Sequence, residues 1–311
     1  RPAGEEPLGL VSVDGKGSKV SVEPGMLRRL TQRVLFVAAA PSSNATRIAG
    51  TDQQFVITAL LNGLDAAHSH TLTKVLLNEV GPALAARKTD WNIESVIVQR
   101  GVAGSRPIVF FFELTRTYRV AAWLCRIAGS AQPPPFHISL CPLFEAMIEL
   151  RFSAPPPPEV IAGVRAILDA PEAFHPPVLI GSAVQVRVYD GDSTSDLAKR
   201  VNICFLVRRP PDVTRAACQD YWRHQHAHLA LENMQYLRLT RYRQVHTMAV
   251  PLPGLDDTFD GVVYAEKRSF LQLFLDLLKP NTARFNSTVV VDECHFTDST
   301  PVTLMRQLAS W

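Results

Sequence analysis

From Lys199 onward, apolar runs and amphipathic stretches follow one another in a regular order. RVNICFLVRR (200–209) is mostly apolar and predicts a buried strand. Pro210 and Pro211 then introduce a helix over PPDVTRAACQDYWRHQHAHLALENM, with Asp212 or Thr214 as its N-cap. LRLTRYRQVHTMAV alternates with period two and predicts a strand. FDGVVYAEKR is a third strand, SFLQLFLDLLK a second helix and STVVVDECHF a fourth strand. The order is β-α-β-β-α-β in about 100 residues, the ferredoxin-like plan of an antiparallel sheet with two helices on one face.

The first half carries a fainter version of the same pattern. FVITALLNGLD (55–65) parallels NICFLVRRPPD, TLTKVLLNEVGPALAA (71–86) parallels CQDYWRHQHAHLALEN, and WNIESVIVQRG (91–101) parallels YLRLTRYRQVH, at offsets of 145 to 147 residues. Three matches in series at a nearly constant offset favour an internal duplication. Its remaining elements are expected as a third strand in RPIVFFFELTR (106–116), a helix in TYRVAAWLCRIAG (117–129) and a fourth strand in FHISLCPLFEAMI (136–148). A helix over Leu143–Leu150 is the alternative reading of the last segment. Proline clusters at 133–135 and 155–158 mark boundaries, and GDSTSD (191–196) is a linker. Between them, 159–170 has helical periodicity and 178–190 alternates like a strand. Strands are also expected at Leu8–Val13, Lys19–Val22 and Arg33–Pro41. The expected division is an N-terminal arm (1–50), a degenerate unit (51–153), a Pro-flanked connector (154–197) and a fuller unit with a tail (198–311).

Composition narrows the function. An apolar fraction of 47% over 311 residues is ample for a buried core. A net charge of +3 is too balanced to point to nucleic acid. No apolar run reaches the roughly 18 residues of a membrane helix, so no membrane partner is expected. The five cysteines (125, 141, 204, 218, 294) form no CxxC and mostly sit in apolar runs, the pattern of buried, reduced thiols in a cytoplasmic protein.

Chemistry concentrates in the helix at 214–232. Cys218, Trp222, His226 and Leu229 fall on one face, which makes His226 a polar group in a core-facing stripe. Such a histidine is either structurally satisfied or, kept neutral by burial, a general base. His224 and His228 stand at zinc-ligand spacing but lack further ligands, so a solvated face is the better reading and no metal is expected. On the next strand Tyr242, Gln244 and His246 face one way, and Arg241, Arg243 and Val245 the other. Asp260, before Gly261, is either a turn residue bonded to its own backbone or an orienting carboxylate for a histidine. There is no GxGxxG, Walker loop, GxSxG or HExxH.

The run RRPPDVTRAACQDYWRHQHAHL, with Tyr221, Trp222, His226, Ala227 and Leu229, resembles the opening of the EthD family. The strand RYRQVHTM, with Arg241, Tyr242 and His246, and the FDGVV turn, with Asp260 and Gly261, fall where that family has them. The resemblance covers about residues 198–300. It implies an α+β fold in which two ferredoxin-like units form a dimeric-type α+β barrel, here within one chain, with a ligand cavity between sheet and helices. A homodimer is the other arrangement it allows. Tyr264 stands where an acidic residue is often found after the Asp-Gly turn. In the first repeat Leu76 matches Trp222 and Val80 matches His226, so one working site is expected, in the second half.

The resulting expectation is a cofactor-independent lyase or cyclase for a small apolar, aromatic or polyketide-like substrate. His226 is the acid/base, and Tyr242 or His246 bonds the developing oxyanion. Asp260 completes the candidate catalytic set, and Trp222, Tyr221, Arg241, Phe259 and Tyr264 are expected to bind substrate. The alternatives are an oxidoreductase, either a cofactor-free monooxygenase or a haem protein with His226 or His246 as axial ligand, and a non-catalytic ligand-binding barrel.

Overall fold

A computed structural model of the chain describes residues 50–52, 54–63, 66–102, 144–190, 199–233, 238–277, 279, 289, 292–293, 295–297 and 302–311. Strands β1 (Gly50–Asp52) and β2 (Phe55–Leu61) precede an interrupted helix α1, made of Ala66–Val75, a π turn at Leu76–Val80 and Gly81–Ala86. A short helix α2 (Lys88–Trp91) leads into β3 (Ile93–Gly101). Next come β4 (Ala146–Phe152), α3 (Pro158–Asp169) and β5 (Val178–Asp190). The second half repeats the order. It contains β6 (Val201–Val207), then α4 as Arg215–Tyr221, a π turn at Trp222–His226 and Ala227–Glu232. β7 (Arg241–Thr247), β8 (Gly261–Lys267), α5 (Phe270–Leu277) and β9 (Val302–Ser310) complete it.

Eight of these strands close on themselves in the order β5-β2-β4-β3-β9-β6-β8-β7, with β7 pairing back onto β5 and every pairing antiparallel. β1 lies beside β5 over Gln185–Arg187. Closure is the work of two strands that each serve both halves. β5 pairs with β2 through Val178–Ser182 and with β7 through Ser182–Asp190. β9 pairs with β6 through Val302–Met305 and with β3 through Met305–Ser310. The fold is thus α+β, an antiparallel eight-stranded barrel with helices outside it.

Because both faces of each strand are covered, the strands read as nearly continuous apolar runs rather than clean alternations. The outer face of the first half packs Ile57, Leu150 and Val96 under Leu72, Leu76, Val80 and Val164. The outer face of the second half packs Val201, Ile203 and Val263 under Cys218, Trp222, Leu231 and Leu273. The inner face gathers Val56, Leu60, Met147, Ile180, Leu206, Val245, Val262, Tyr264 and Met305. An eight-stranded barrel is just wide enough for side chains to fill, and the inner-face side chains named here are all buried.

Among those apolar side chains lies one ionic group. Glu149 of β4 is fully buried, and Arg243 of β7 reaches it with two bonds, Nη2 to Oε2 at 2.6 Å and Nη1 to Oε1 at 3.1 Å. Arg151 Nε adds a third at 2.6 Å. Arg243 also donates to Gln185 Oε1 at 2.7 Å and lies 4.3 Å above the Tyr264 ring. Burial alone would raise the Glu149 carboxyl, but the two guanidiniums outweigh it and hold it at about 2.

Several expectations are corrected here. The third slot of the first half, between β2 and β3, is filled by Ala146–Phe152. The segments 106–116 and 117–129, expected as that third strand and its helix, lie outside the described residues, as do the expected strands before Gly50. No helix forms over 146–150, since its alternating side chains divide between two buried faces. The expected connector, 154–197, holds the helix and the strand read there, as α3 and the barrel strand β5. Its prolines cap rather than separate, with Pro158 starting α3 at a position where the missing N–H costs nothing. The fourth strand of the second half is Val302–Ser310, not STVVVDECHF; Val289, Asp292 and Glu293 are helical. The β-branched run loses to the strand that also bridges to β3, since β-propensity yields to tertiary context.

Replacing Glu149 by Leu should lower stability by about 3–5 kcal/mol, because Arg243 would be left buried without its partner. The carboxyl titrates lower in the folded state than its ordinary value. Its contribution is therefore fully present above roughly pH 4.5 and lost as pH falls toward 2. Urea melts at pH 7 and pH 3 check both points: the gap between wild type and Glu149→Leu should shrink at the lower pH.

Candidate active site between helix and sheet

Helix α4 begins where Thr214 Oγ1 accepts a bond from Ala217 N at 3.2 Å. Its π turn brings both Trp222 and His226 to the sheet. The extra residue in that turn shifts the buried positions that follow, so Ala227, Ala230 and Leu231 are buried and Leu229 is only partly so. Trp222 has no exposed surface and lies against β8 at Gly261, where an added Cβ would come within 2.6 Å of the indole. Only glycine leaves room there.

His226 is 7% exposed, and its Nδ1 lies 2.7 Å from Asp292 Oδ2. The other Asp292 oxygen accepts the Tyr221 hydroxyl at 2.8 Å. Tyr221 stacks on His295 (ring centroids 5.6 Å apart) and on Phe296 (5.5 Å), and Phe296 also lies against His226 (5.1 Å) and Trp222 (6.4 Å). Burial, reinforced by Asp292, raises the Tyr221 phenol, so it remains a donor.

On β7, Tyr242, Gln244 and His246 do share the helix-facing side, while Arg243 and Val245 face the interior. Gln244 Nε2 donates to Trp222 O at 3.1 Å, and Gln244 Oε1 lies 3.1 Å from His246 Nε2. The His246 ring sits 4.4 Å from that of Trp222. Burial, then the nearby Arg223 and His224, pushes the His246 imidazole down to about 3, so it is neutral near pH 7. Tyr242 is raised, chiefly by burial.

With Trp222, His226, the β7 trio and the Asp-Gly turn assembled, the second half can be compared with known families. Residues 210–300 match the EthD domain. That EthD segment spans α4, β7, β8, α5 and Asp292, which is every side chain of the cluster just described. A search of curated proteins finds no match. Among solved structures, an anthrone oxidase-like protein is similar over 84% of this chain and 93% of its own, at 10% identity and a TM-score of 0.48. A chlorite dismutase variant from Candidatus Nitrospira defluvii is similar over 85% and 93%, at 12% identity and a TM-score of 0.44.

Not every expected site residue belongs to this cluster. Among the described residues the Asp260 side chain bonds neither a histidine nor its own backbone. Its carboxylate accepts Arg209 N at 2.7 Å and Arg215 Nε at 2.8 Å, with Arg209 Nη1 closing the group. Together with Gln219, which donates to Thr247 O and Asp260 O, this ties the start of α4 to β7 and β8. Phe259 and Tyr264 lie on the interior side of the sheet, Phe259 against Phe144 and Tyr264 donating to Met147 Sδ at 3.3 Å. Arg241 is at the rim, paired with Asp190 at 3.2 Å. His224 pairs with Asp220, and His228 is exposed. Among the described residues no group of three or more His, Cys, Asp or Glu could hold a metal ion, and no helix is long and apolar enough to cross a membrane. Cys204 and Cys218 are free and buried, and the other three cysteines lie outside the described residues.

Sequence reasoning missed Asp292, Phe296 and Gln244. The available signal for Asp292 was an acidic residue interrupting the β-branched run VVVDEC.

Asp260→Ala should cost about 3–5 kcal/mol, since Arg215 and Arg209 would lose a buried counter-charge. A large fall in thermal midpoint, read by circular dichroism, is the expected outcome and separates this anchoring role from an orienting one.

Proposed function

We propose that the chain is a cofactor-independent lyase or cyclase that removes a proton next to a carbonyl in a small aromatic or polyketide-like molecule. The observation that carries this reading is the 2.7 Å bond between His226 Nδ1 and Asp292 Oδ2. An ionised carboxylate only accepts, so Nδ1 holds the hydrogen and Nε2 is left with its lone pair. That is the arrangement of an oriented general base, and Tyr221 fixes the carboxylate from its other oxygen. Tyr242, kept protonated by burial, is the donor for the developing oxyanion. Trp222 and Phe296 supply an apolar, aromatic wall.

We read the two β-α-β-β-α-β stretches as two ferredoxin-like units of a dimeric-type barrel joined in one chain. β2 and β6 occupy the equivalent ranges Phe55–Leu61 and Val201–Val207, and the two π turns, Leu76–Val80 and Trp222–His226, stand at the same offset. The first unit keeps the turn but has Leu76 and Val80 at its buried positions, which supports a single working site. Closure within one chain means that the barrel needs no second copy.

A second reading rests on the same pair. A carboxylate behind Nδ1 also raises the basicity of an imidazole that ligates a metal, so His226 is the residue that would hold a haem, which would supply redox chemistry. A Soret band in the purified protein favours that reading, and its absence favours the cofactor-free one.

Proton abstraction is tested by deuterium exchange at the carbon next to the carbonyl of aryl ketones, followed by proton NMR in D2O. His226→Ala should abolish the enzyme-dependent exchange, and Asp292→Asn should slow it by roughly 10²-fold or more. The circular-dichroism melts of both should stay within a few degrees of wild type. Exchange by His226→Ala at the wild-type rate overturns the assignment.

A further inference from the structure

The orientation of Gln244 decides what His246 can do. Its amide nitrogen donates to Trp222 O, and turning the amide over would set two oxygens against each other. Oε1 is therefore the atom that faces His246 Nε2, and an oxygen there requires Nε2 to carry the hydrogen. The remaining nitrogen, Nδ1, is a bare acceptor. It is buried and has no hydrogen-bond partner among the described residues, on a side chain that is 2% exposed.

We infer that His246 is a specificity-determining residue, whose Nδ1 accepts a hydrogen bond from a hydroxyl or N–H group on the substrate. This rests on the reading that the substrate binds between α4 and the sheet, and it names a feature of that substrate. The molecule carries a donor, as a phenol or enol does, and is not merely an apolar ring bearing carbonyls or ethers. An unsatisfied buried acceptor makes the discrimination one-sided. A ligand with the donor gains a bond, while its methyl ether leaves the nitrogen unpaired and adds a methyl group against it. The same hydrogen placement removes His246 from the oxyanion role, because its one N–H is spent on Gln244 and Nδ1 repels negative charge. Protonation does not restore a donor near pH 7, since the buried ring stays neutral.

The test uses the full chain with 1-naphthol and 1-methoxynaphthalene as probes, each titrated by calorimetry. Wild type should bind 1-naphthol about 10-fold more tightly, the worth of roughly one hydrogen bond. His246→Phe, which keeps a ring against Trp222, should bind the two probes equally, and His226→Ala should retain the preference. Gln244→Leu, which frees the imidazole to change tautomer, should weaken the preference. Equal binding of both probes by wild type overturns the inference and leaves the site standing. Failure of wild type to bind either probe overturns the site and the inference with it. A measurement on unliganded wild type needs no variant: nitrogen-15 NMR of the histidines should find His246 with hydrogen on Nε2, and hydrogen on Nδ1 overturns the inference.

Discussion

The bond between Glu149 and Arg243 crosses the inside of the barrel and joins the two halves of the chain. Other contacts cross with it. Asn202 of β6 donates to Gln99 of β3 at 2.9 Å, and Tyr264 of β8 reaches Met147 of β4. A buried ion pair of this kind adds little net stability over apolar packing, but it tolerates no misalignment. A slip of one residue in β4 would exchange its two faces and drive Glu149 under α1 and α3. Register of the whole barrel therefore depends on a carboxylate that touches no solvent.

The outer face carries a second set of buried polar groups. Phe259 and Tyr264 are buried on the inner face, against Phe144 and Met147. On the outer face, polar side chains collect where α4 crosses β7, and they come in hydrogen-bonded sequences rather than singly. One runs from Tyr221 through Asp292 to His226, the other from Trp222 O through Gln244 to His246. Each ends on an imidazole nitrogen whose state is set by the partner behind it. The Asp260 group supports both by fixing the first turn of α4, and Gly261 sets how closely Trp222 approaches. Within the matched segment, 210–300, Asp260 and Gly261 are thus scaffold for the two hydrogen-bonded sequences.

The periodicities of β6, α4, β7, β8 and α5 were legible because each element has one dominant pattern and a clear start or stop. The same-face relation of Tyr242, Gln244 and His246 followed from strand geometry alone. What was not legible depended on distant pairing. β9 has a mixed sequence ending in LMRQLAS, and its strand character comes from lying between β3 and β6. Asp292 looked like part of a strand because three valines precede it, and nothing local records that His226, far back along the chain, needs its carboxylate. Asp260 was misassigned for a related reason. An aspartate before glycine signals a turn, but the residues that claim it, Arg209 and Arg215, belong to another element.

The division of β5 and β9 between the halves bears on how the chain is made. A ribosome delivers β1 through β5 before β6 to β9, and within that portion β5 has neighbours on one side only, β2 along Val178–Ser182 and β1 along Gln185–Arg187. Its other side waits for β7, and the outer part of β3 waits for β9. The first half therefore emerges with two unsatisfied edges and a buried carboxylate that has Arg151 but not yet Arg243. Those edges are an invitation to pair with another nascent chain until β7 covers the one and β9 the other. Production of this protein should accordingly be more sensitive to translation rate and to early chaperone binding than its finished, edgeless barrel would indicate.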